Sequence, residues 1–419
     1  MTPLERAHYV REHLPAEGLF AEKTWRISPQ AFALSPAQVE LLEKLGIVLH
    51  HFNTACNLLY RQSAAGKAHP WVAPLLDAGK PPELIALSRH DKVKGQVPAV
   101  IRPDLILTEE AFALSELDSV PGGIGLTAWL GETYSALGEN VLGGANGMRH
   151  GFASILPDGE VLISEESAAY RPEMEWLLGA DRVRSVEDYS PGGKAAYRFF
   201  EAFDYPKLAK FAESWQPGQP LTPPLKPYLE EKLWLALFWS RPLQEFWRQE
   251  VGEKGQKLLQ RIIPYSWVLD PTPLPPHAVV PELGIQSWSE MERFSQKQRD
   301  LVLKISGFSP QAWGARGVYV GSDMSAEEWA VQVRAALAEF SEHPRVLKRF
   351  VKGSLARQDY VAENDEIVTL TGRARVCPYY FDVNDRVTLG GVLVTLVPAD
   401  KKLIHGMRDA ILSPAVTQG

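Results

Sequence analysis

Apolar residues recur at helical spacing through the first ninety positions. From Leu42, the residues Leu45, Leu49, Phe52, Cys56 and Leu59 follow at intervals of three and four. That is one face of an amphipathic helix, and Ser35-Pro36 marks its start. The pattern changes near residue 97. Two runs with strand character, beginning at Val100 and at Phe112, flank the polar break Thr108-Glu109-Glu110, and Pro121-Gly122-Gly123-Ile124-Gly125 follows. An alternating segment comes next, with strands predicted over 151–155, 160–163 and 182–186, a helix over 173–178 and a helical turn over 197–201. Prolines at 217, 220, 223, 224 and 227 make 216–227 an extended linker.

Beyond the linker, 226–247 reads as helical, 271–281 as a second proline-rich connector, and 300–321 as strand, glycine-rich loop, strand. Ser325-Ala326-Glu327-Glu328 is a capping box, and Trp329, Val333, Leu337 and Phe340 mark the buried face of the helix it opens. Strands over 345–351, 367–370 and 373–381 and a C-terminal helix with His405 and Asp409 complete the pattern. The expectation is an α+β fold with mixed and antiparallel sheets. Its segments are a helical region 1–95, a core hairpin with an α/β segment 96–215, a helical segment 225–299, a small α+β lobe 300–370, and a return to the core 371–419.

Composition narrows the classes. With 45% hydrophobic and 23% charged residues over 419 positions, the chain is that of a soluble globular protein. A net charge of −7 argues against nucleic acid, because neutralising phosphates needs a basic surface. Cys56 and Cys377 are far apart and in no metal-ligand spacing, which points to a reducing, cytoplasmic setting. The N-terminus shows no signal-peptide pattern. No apolar run approaches the ~20 residues of a membrane span, so no membrane partner is expected. Oligomeric state is not legible.

The chemistry concentrates in the hairpin. Arg102 and Asp104 are two apart, as are Glu116 and Asp118, so each pair shares a strand face. A three-residue connection, Glu109 to Ala111, sets Asp104 opposite Glu116 and Arg102 opposite Asp118; two or four residues put the pairs on opposite faces. In the first register three carboxylates converge on one guanidinium. Two carboxylates about 4 Å apart repel by roughly 4 kcal/mol at an effective dielectric near 20, and oxygen ligands suit Mg²⁺ shared with substrate phosphates. The same residues also fit an ordinary hairpin with a solvated charged face. Far along the chain, Lys304 sits inside an apolar strand ahead of Gly307, where an ammonium needs an anion and a glycine loop can fold over phosphates. Lys232 opens an aromatic-rich helix, Lys348 and Arg349 lie on a later strand, and Arg373 and Arg375 share a face. His50 and His51 are adjacent on a helix and face different directions, which disfavours a shared metal.

Arg102-Pro103-Asp104, eleven residues, then Glu116-Leu117-Asp118 resembles the metal and phosphate signature of the circularly permuted ATP-grasp ligases of the glutathionylspermidine synthetase type. The chain departs at Asp118, where the family carries Asn, and at Ala111, where a turn glycine is expected. The Lys304 strand and its loop resemble the ATP-grasp lid. The resemblance implies ATP and Mg²⁺ as cofactors, and a ligase joining a small-molecule carboxylate to an amine, a peptide or polyamine among the possibilities, through an acylphosphate. It implies metal contacts from Asp104, Glu116 and Asp118, nucleotide contacts from Lys232, Lys304, Gly307 and Lys348, and catalytic roles for Arg102 and Arg375. The rival readings are a glycan-binding or glycan-active protein using its twelve tryptophans with Glu116 and Asp118, and a degenerate ATP-grasp fold that binds without catalysis.

Overall fold

A computed structural model of the chain describes residues 1–15, 24–190, 192–312, 316–404 and 408–418. It divides into two compact units. The first comprises Met1–His51, Gln96–Pro224 and Lys352–Gly419; the second comprises Phe52–Gly95 and Leu225–Val351. The amphipathic helix forms over Pro36–Ala64, and all six residues of its apolar stripe are buried.

The first unit is built on a seven-stranded sheet. Its order is Phe32–Leu34, Ile411–Thr417, Arg386–Pro398, Ile367–Val383, Val100–Leu107 and Phe112–Asp118, with Leu355–Val361 also paired to the fourth of these. The central strand, Ile367–Val383, is 17 residues long and joins the two strands expected over 367–370 and 373–381. Gly372 makes this possible: a Cβ there would lie 1.9 Å from the Val397 carbonyl oxygen on the neighbouring strand. The central strand pairs with Leu355–Val361 along its first half and with Val100–Leu107 along its second. The helix Ile124–Ala136 and the central strand's Tyr379 and Phe381 share one apolar cluster.

A smaller all-parallel sheet carries Val183–Ser185, Glu160–Ile163, Ala196–Phe199 and Leu221–Thr222 in that order. Two expectations fail here. Residues 151–155 belong to a helix, Gly147–Ile155, not a strand; Gly151 faces the Phe381 ring too closely for any side chain. Residues 197–199 form a strand, not a helical turn. All four positions of Ala196–Phe199 are buried, and a strand covered on both faces is a continuous apolar run with no period to read. Arg198 is buried with it, its guanidinium donating to the carbonyls of Phe200, Pro223 and Pro224. Near the C-terminus, His405 lies outside the described residues, and Asp409 stands in a turn before Ile411–Thr417 rather than on a helix.

The second unit holds a four-stranded antiparallel sheet in the order Val318–Val320, Leu301–Ile305, Arg345–Arg349, Ser266–Val268. The capping box closes as expected: Ser325 Oγ accepts from the Glu328 N–H at 3.1 Å and Glu328 Oε2 from the Ser325 N–H at 2.8 Å. The helix it opens, Ala326–Ala338, packs Trp329 and Val333 against Leu301, Leu303, Leu347 and Trp267. Among the described residues no helix is long and apolar enough to cross a membrane.

Candidate active site

In the hairpin of the first unit, Arg102 pairs with Asp118 and Asp104 with Glu116. This is the register that brings the charged groups to one face, yet the connection is not three residues. Leu107 pairs with Phe112 across a four-residue turn, Thr108 to Ala111, and Leu105 with Leu114. A register shift next to Asp104 leaves Ser115 as an extra residue. One inserted residue flips every later side chain on its strand, so the bulge returns Glu116 and Asp118 to the face of Arg102. Ser115 spends its hydroxyl on the Asp104 carbonyl at 3.1 Å.

The central strand adds Arg375, Cys377 and Tyr379 to the same face, since Arg375 pairs with Ile106 and positions two apart project together. Arg102 Nη2 bridges two carboxylates, Asp118 Oδ2 at 2.7 Å and Asp104 Oδ1 at 3.1 Å. Arg375 Nη1 reaches Asp104 Oδ2 at 2.9 Å, and the Cys377 thiol donates to Asp104 Oδ1 at 3.4 Å. Asp104, implied as a metal ligand, thus has both oxygens engaged by guanidiniums. Burial works against the charge on Arg102, but Asp104 and Asp118 hold its pKa well above the usual arginine range. Burial also pushes the Asp118 carboxyl up; Arg102 opposes this, while Glu116 and Asp104 add to it. The Cys377 thiol is pushed up to about 12, first by burial and then by Asp104, so it is not a nucleophile. Three buried polar atoms of this face have no hydrogen-bond partner: Nε of Arg102, Nε of Arg375, and Oγ1 of Thr395, the residue paired with Arg375.

These residues fit one divalent ion shared with phosphate oxygens better than an ion held by all three acids. Asp118 gives Oδ1 to the Val120 N–H at 3.0 Å and Oδ2 to Arg102, but each carboxylate oxygen has a second lone pair. Mg²⁺ takes one or two carboxylates and completes its shell with water and phosphate. Glu116 and Asp118 share the face on which such an ion would sit, and Asp104 is bracketed by two arginines.

The glycines after the hairpin serve packing. Gly122 lies 2.3 Å, measured from a hypothetical Cβ, from the Tyr170 ring, and Gly125 lies 2.2 Å from the Glu173 carbonyl oxygen. The Glu173 carboxylate accepts the N–H groups of Gly123 at 2.7 Å and Leu126 at 3.1 Å. It therefore occupies the positive end of the helix Ile124–Ala136, the place where a ligand anion would bind. The carbonyl of Gly122 is held from both sides, by Tyr379 Oη at 2.7 Å and Arg102 Nη1 at 3.3 Å. Sequence reasoning missed Glu173 and Tyr379. A signal for Glu173 existed: a helix beginning Gly123-Ile124 has no capping side chain of its own, so one must arrive from elsewhere.

In the second unit Lys304 stands between Val318 and Val346, and Lys348 between Val302 and Ser266. Paired residues share a face, so Lys304 and Lys348 project together, opposite the side covered by Ala326–Ala338. Lys348 is buried and Lys304 half-buried. Arg349 turns away to an exposed pair with Glu282 at 3.0 Å. Lys232 donates its Nζ to the Ala312 carbonyl at 3.1 Å; the adjoining Trp313, Gly314 and Ala315 lie outside the described residues. Gly307 backs onto the Glu231 carboxylate, 2.9 Å from where its Cβ would be. Glu231 is itself buried between the Lys80 ammonium and the Ser306 hydroxyl.

No family model and no curated protein matches the sequence. Among solved structures, the chain is similar to a glutathione synthetase like-effector from Globodera pallida in its apo form. The TM-score is 0.56 at 9% identity, over 99% of this chain and 96% of that one. It is also similar to a structure named Putative gamma-glutamylcysteine synthetase, from Methylobacillus flagellatus, with a TM-score of 0.40 at 13% identity over 85% and 86% of the two chains. The first match shows the fold: the chain shares its mixed helix and sheet architecture with that glutathione synthetase like-effector.

Proposed function

We propose that the chain is an ATP- and Mg²⁺-dependent ligase that joins a small-molecule carboxylate to an amine, or to a comparable nucleophile, through an acylphosphate. The observation that carries this reading is the face bearing Arg102, Asp104, Glu116, Asp118 and Arg375. There two guanidiniums are locked on one carboxylate while keeping unpartnered Nε atoms. In the first step a substrate carboxylate oxygen attacks the γ-phosphorus, the bond to the bridging oxygen breaks, and ADP leaves. In the second the amine nitrogen attacks the acyl carbon, inorganic phosphate leaves, and the nitrogen gives up a proton. Arg102 and Arg375 stabilise charge on the transferred phosphoryl group, the work for which preorganised guanidiniums are suited. Asp104 orients both. Glu116 and Asp118 hold Mg²⁺, which neutralises phosphate charge when bound. Lys304 and Lys348 contact nucleotide phosphates from one sheet face, and Lys232 with Gly307 shapes the loop beside them. The proposed substrates are small acids paired with amino acids, peptides or polyamines, in the reducing cytoplasm that suits two free, buried cysteines.

The saturation of Asp104 by two guanidiniums favours a second reading, a fold retained for binding without turnover. The glycan reading loses its stacking platform, since among the described residues Trp71 is the one exposed tryptophan. Phosphate release from Mg·ATP, screened over pairs of acids and amines, separates the two that remain. The ligase reading expects release with at least one pair and its loss in Arg102→Met. Thermal stabilisation by Mg·ATP with no release from any pair contradicts turnover and leaves binding.

A further inference from the structure

His50 lies on the helix Pro36–Ala64 and is 5% exposed. Its neighbour His51 points elsewhere, the two rings standing 5.8 Å apart and tilted by 59°. The groups that face His50 come instead from the hairpin joining Ile367–Val383 to Arg386–Pro398. Nδ1 is 2.7 Å from Asp382 Oδ2, and Nε2 is 3.4 Å from Asp385 Oδ1. The short contact does not have hydrogen-bond geometry: Nδ1 of His50 and Oδ1 of Asp382 are both buried atoms without a hydrogen-bond partner. The His50 and Asp382 side chains are 7% and 9% exposed, and Asp385 stands open at 90%. Among the described residues, these three form the one set whose ligand atoms all lie within 4.8 Å of one another.

Buried polar atoms are almost always satisfied. Two orphans on side chains that touch mark a place where a positive group completes the contacts. A proton on the ring gives Nδ1 a donor role but leaves Asp382 Oδ1 unpaired. A metal ion on His50 Nδ1 and Asp382 Oδ1 satisfies both, with Asp385 near enough to complete the set. One imidazole nitrogen with two carboxylates is a donor set for a borderline transition ion. The exposed Asp385 provides the way in and leaves positions for water.

We propose that His50, Asp382 and Asp385 bind one divalent transition ion of the Zn²⁺ type, clipping the hairpin turn to the helix, at a site independent of the ligase chemistry. Asp385→Asn is the informative variant. The position is exposed and has φ 62°, a conformation Asn tolerates as well as Asp, so folding is spared while a charged ligand is lost. The metal-stripped full chain is titrated calorimetrically with ZnCl₂, with and without millimolar MgCl₂, beside Asp385→Asn and His50→Gln. The expected result is one Zn²⁺ per chain, unaffected by Mg²⁺, with binding at least tenfold weaker in both variants. No Zn²⁺ uptake by the natural chain, or unchanged stoichiometry and affinity in folded Asp385→Asn, overturns the proposal.

Discussion

Lys80 with Glu231 in the second unit, and Asp104 with Arg102 and Arg375 in the first, are both ion pairs taken out of water. Their polar atoms are satisfied to different degrees. Lys80 and Glu231 are one cation and one anion, 1% and 2% exposed at the side chain, with the Ser306 hydroxyl on the remaining carboxylate oxygen. Nothing is left over, and a sealed, balanced pair is a structural element. On the hairpin face burial pushes the Asp118 carboxyl up, and two Nε atoms and a threonine hydroxyl have no partner. Each unsatisfied group costs free energy in folding. Perturbed carboxyls and orphan donors gathered on one face fit the proposed ligand site.

The largest test of this contrast is Asp104→Ala. It leaves Arg375 without its carboxylate and Arg102 with Asp118 alone, and removing one partner of a buried pair costs roughly 3–5 kcal/mol. Urea unfolding should show a loss of that order; a change below 1 kcal/mol contradicts the bracket role. Lys80→Met should be similarly damaging, since Glu231 is left buried and unpaired, yet adding Glu231→Leu should recover most of the loss. Buried pairs replaced by apolar residues of similar volume are often neutral. A double variant no better than the single one would show that the pair is not merely structural. Gly125→Ala forces a Cβ against the Glu173 backbone and should cost about 1–3 kcal/mol by overpacking, read as a lower melting temperature. The smallest effect has the opposite sign. The folded pKa of Asp118 is raised, so its contribution to stability is full below the unfolded carboxyl pKa and is lost as pH rises through the folded one. Asp118→Asn should therefore melt above the natural chain at neutral pH, and the gap should close as pH falls toward 4. A variant that melts lower across that range would contradict the direction of the shift.

Much of the hairpin was legible because its information is local. Alternation assigns faces, and eleven residues between the two pairs fix their phase. The bulge at Ser115 was not legible, because its cause is the four-residue turn, and four or three residues fit the same sequence. The capping box at Ser325 and the stripe from Leu42 were readable for the same local reason. The strand Ala196–Phe199 was not, since burial on both faces erases period. Glu173 at the helix end, Asp382 beside His50, and Lys80 paired with Glu231 across 151 positions are tertiary facts. Each side chain looked ordinary where it stood, and only folding supplied its partner.

The central claim is that the Glu116 and Asp118 pair serves a metal-bound nucleotide. Calorimetric titration with a non-hydrolysable ATP analogue, with and without Mg²⁺, on the natural chain and on Glu116→Gln tests it most directly. The account predicts binding at least tenfold tighter with Mg²⁺ in the natural chain, and no such difference in the variant. Equal affinity with and without Mg²⁺ in the natural chain, or a Mg²⁺ effect that survives Glu116→Gln intact, would contradict it.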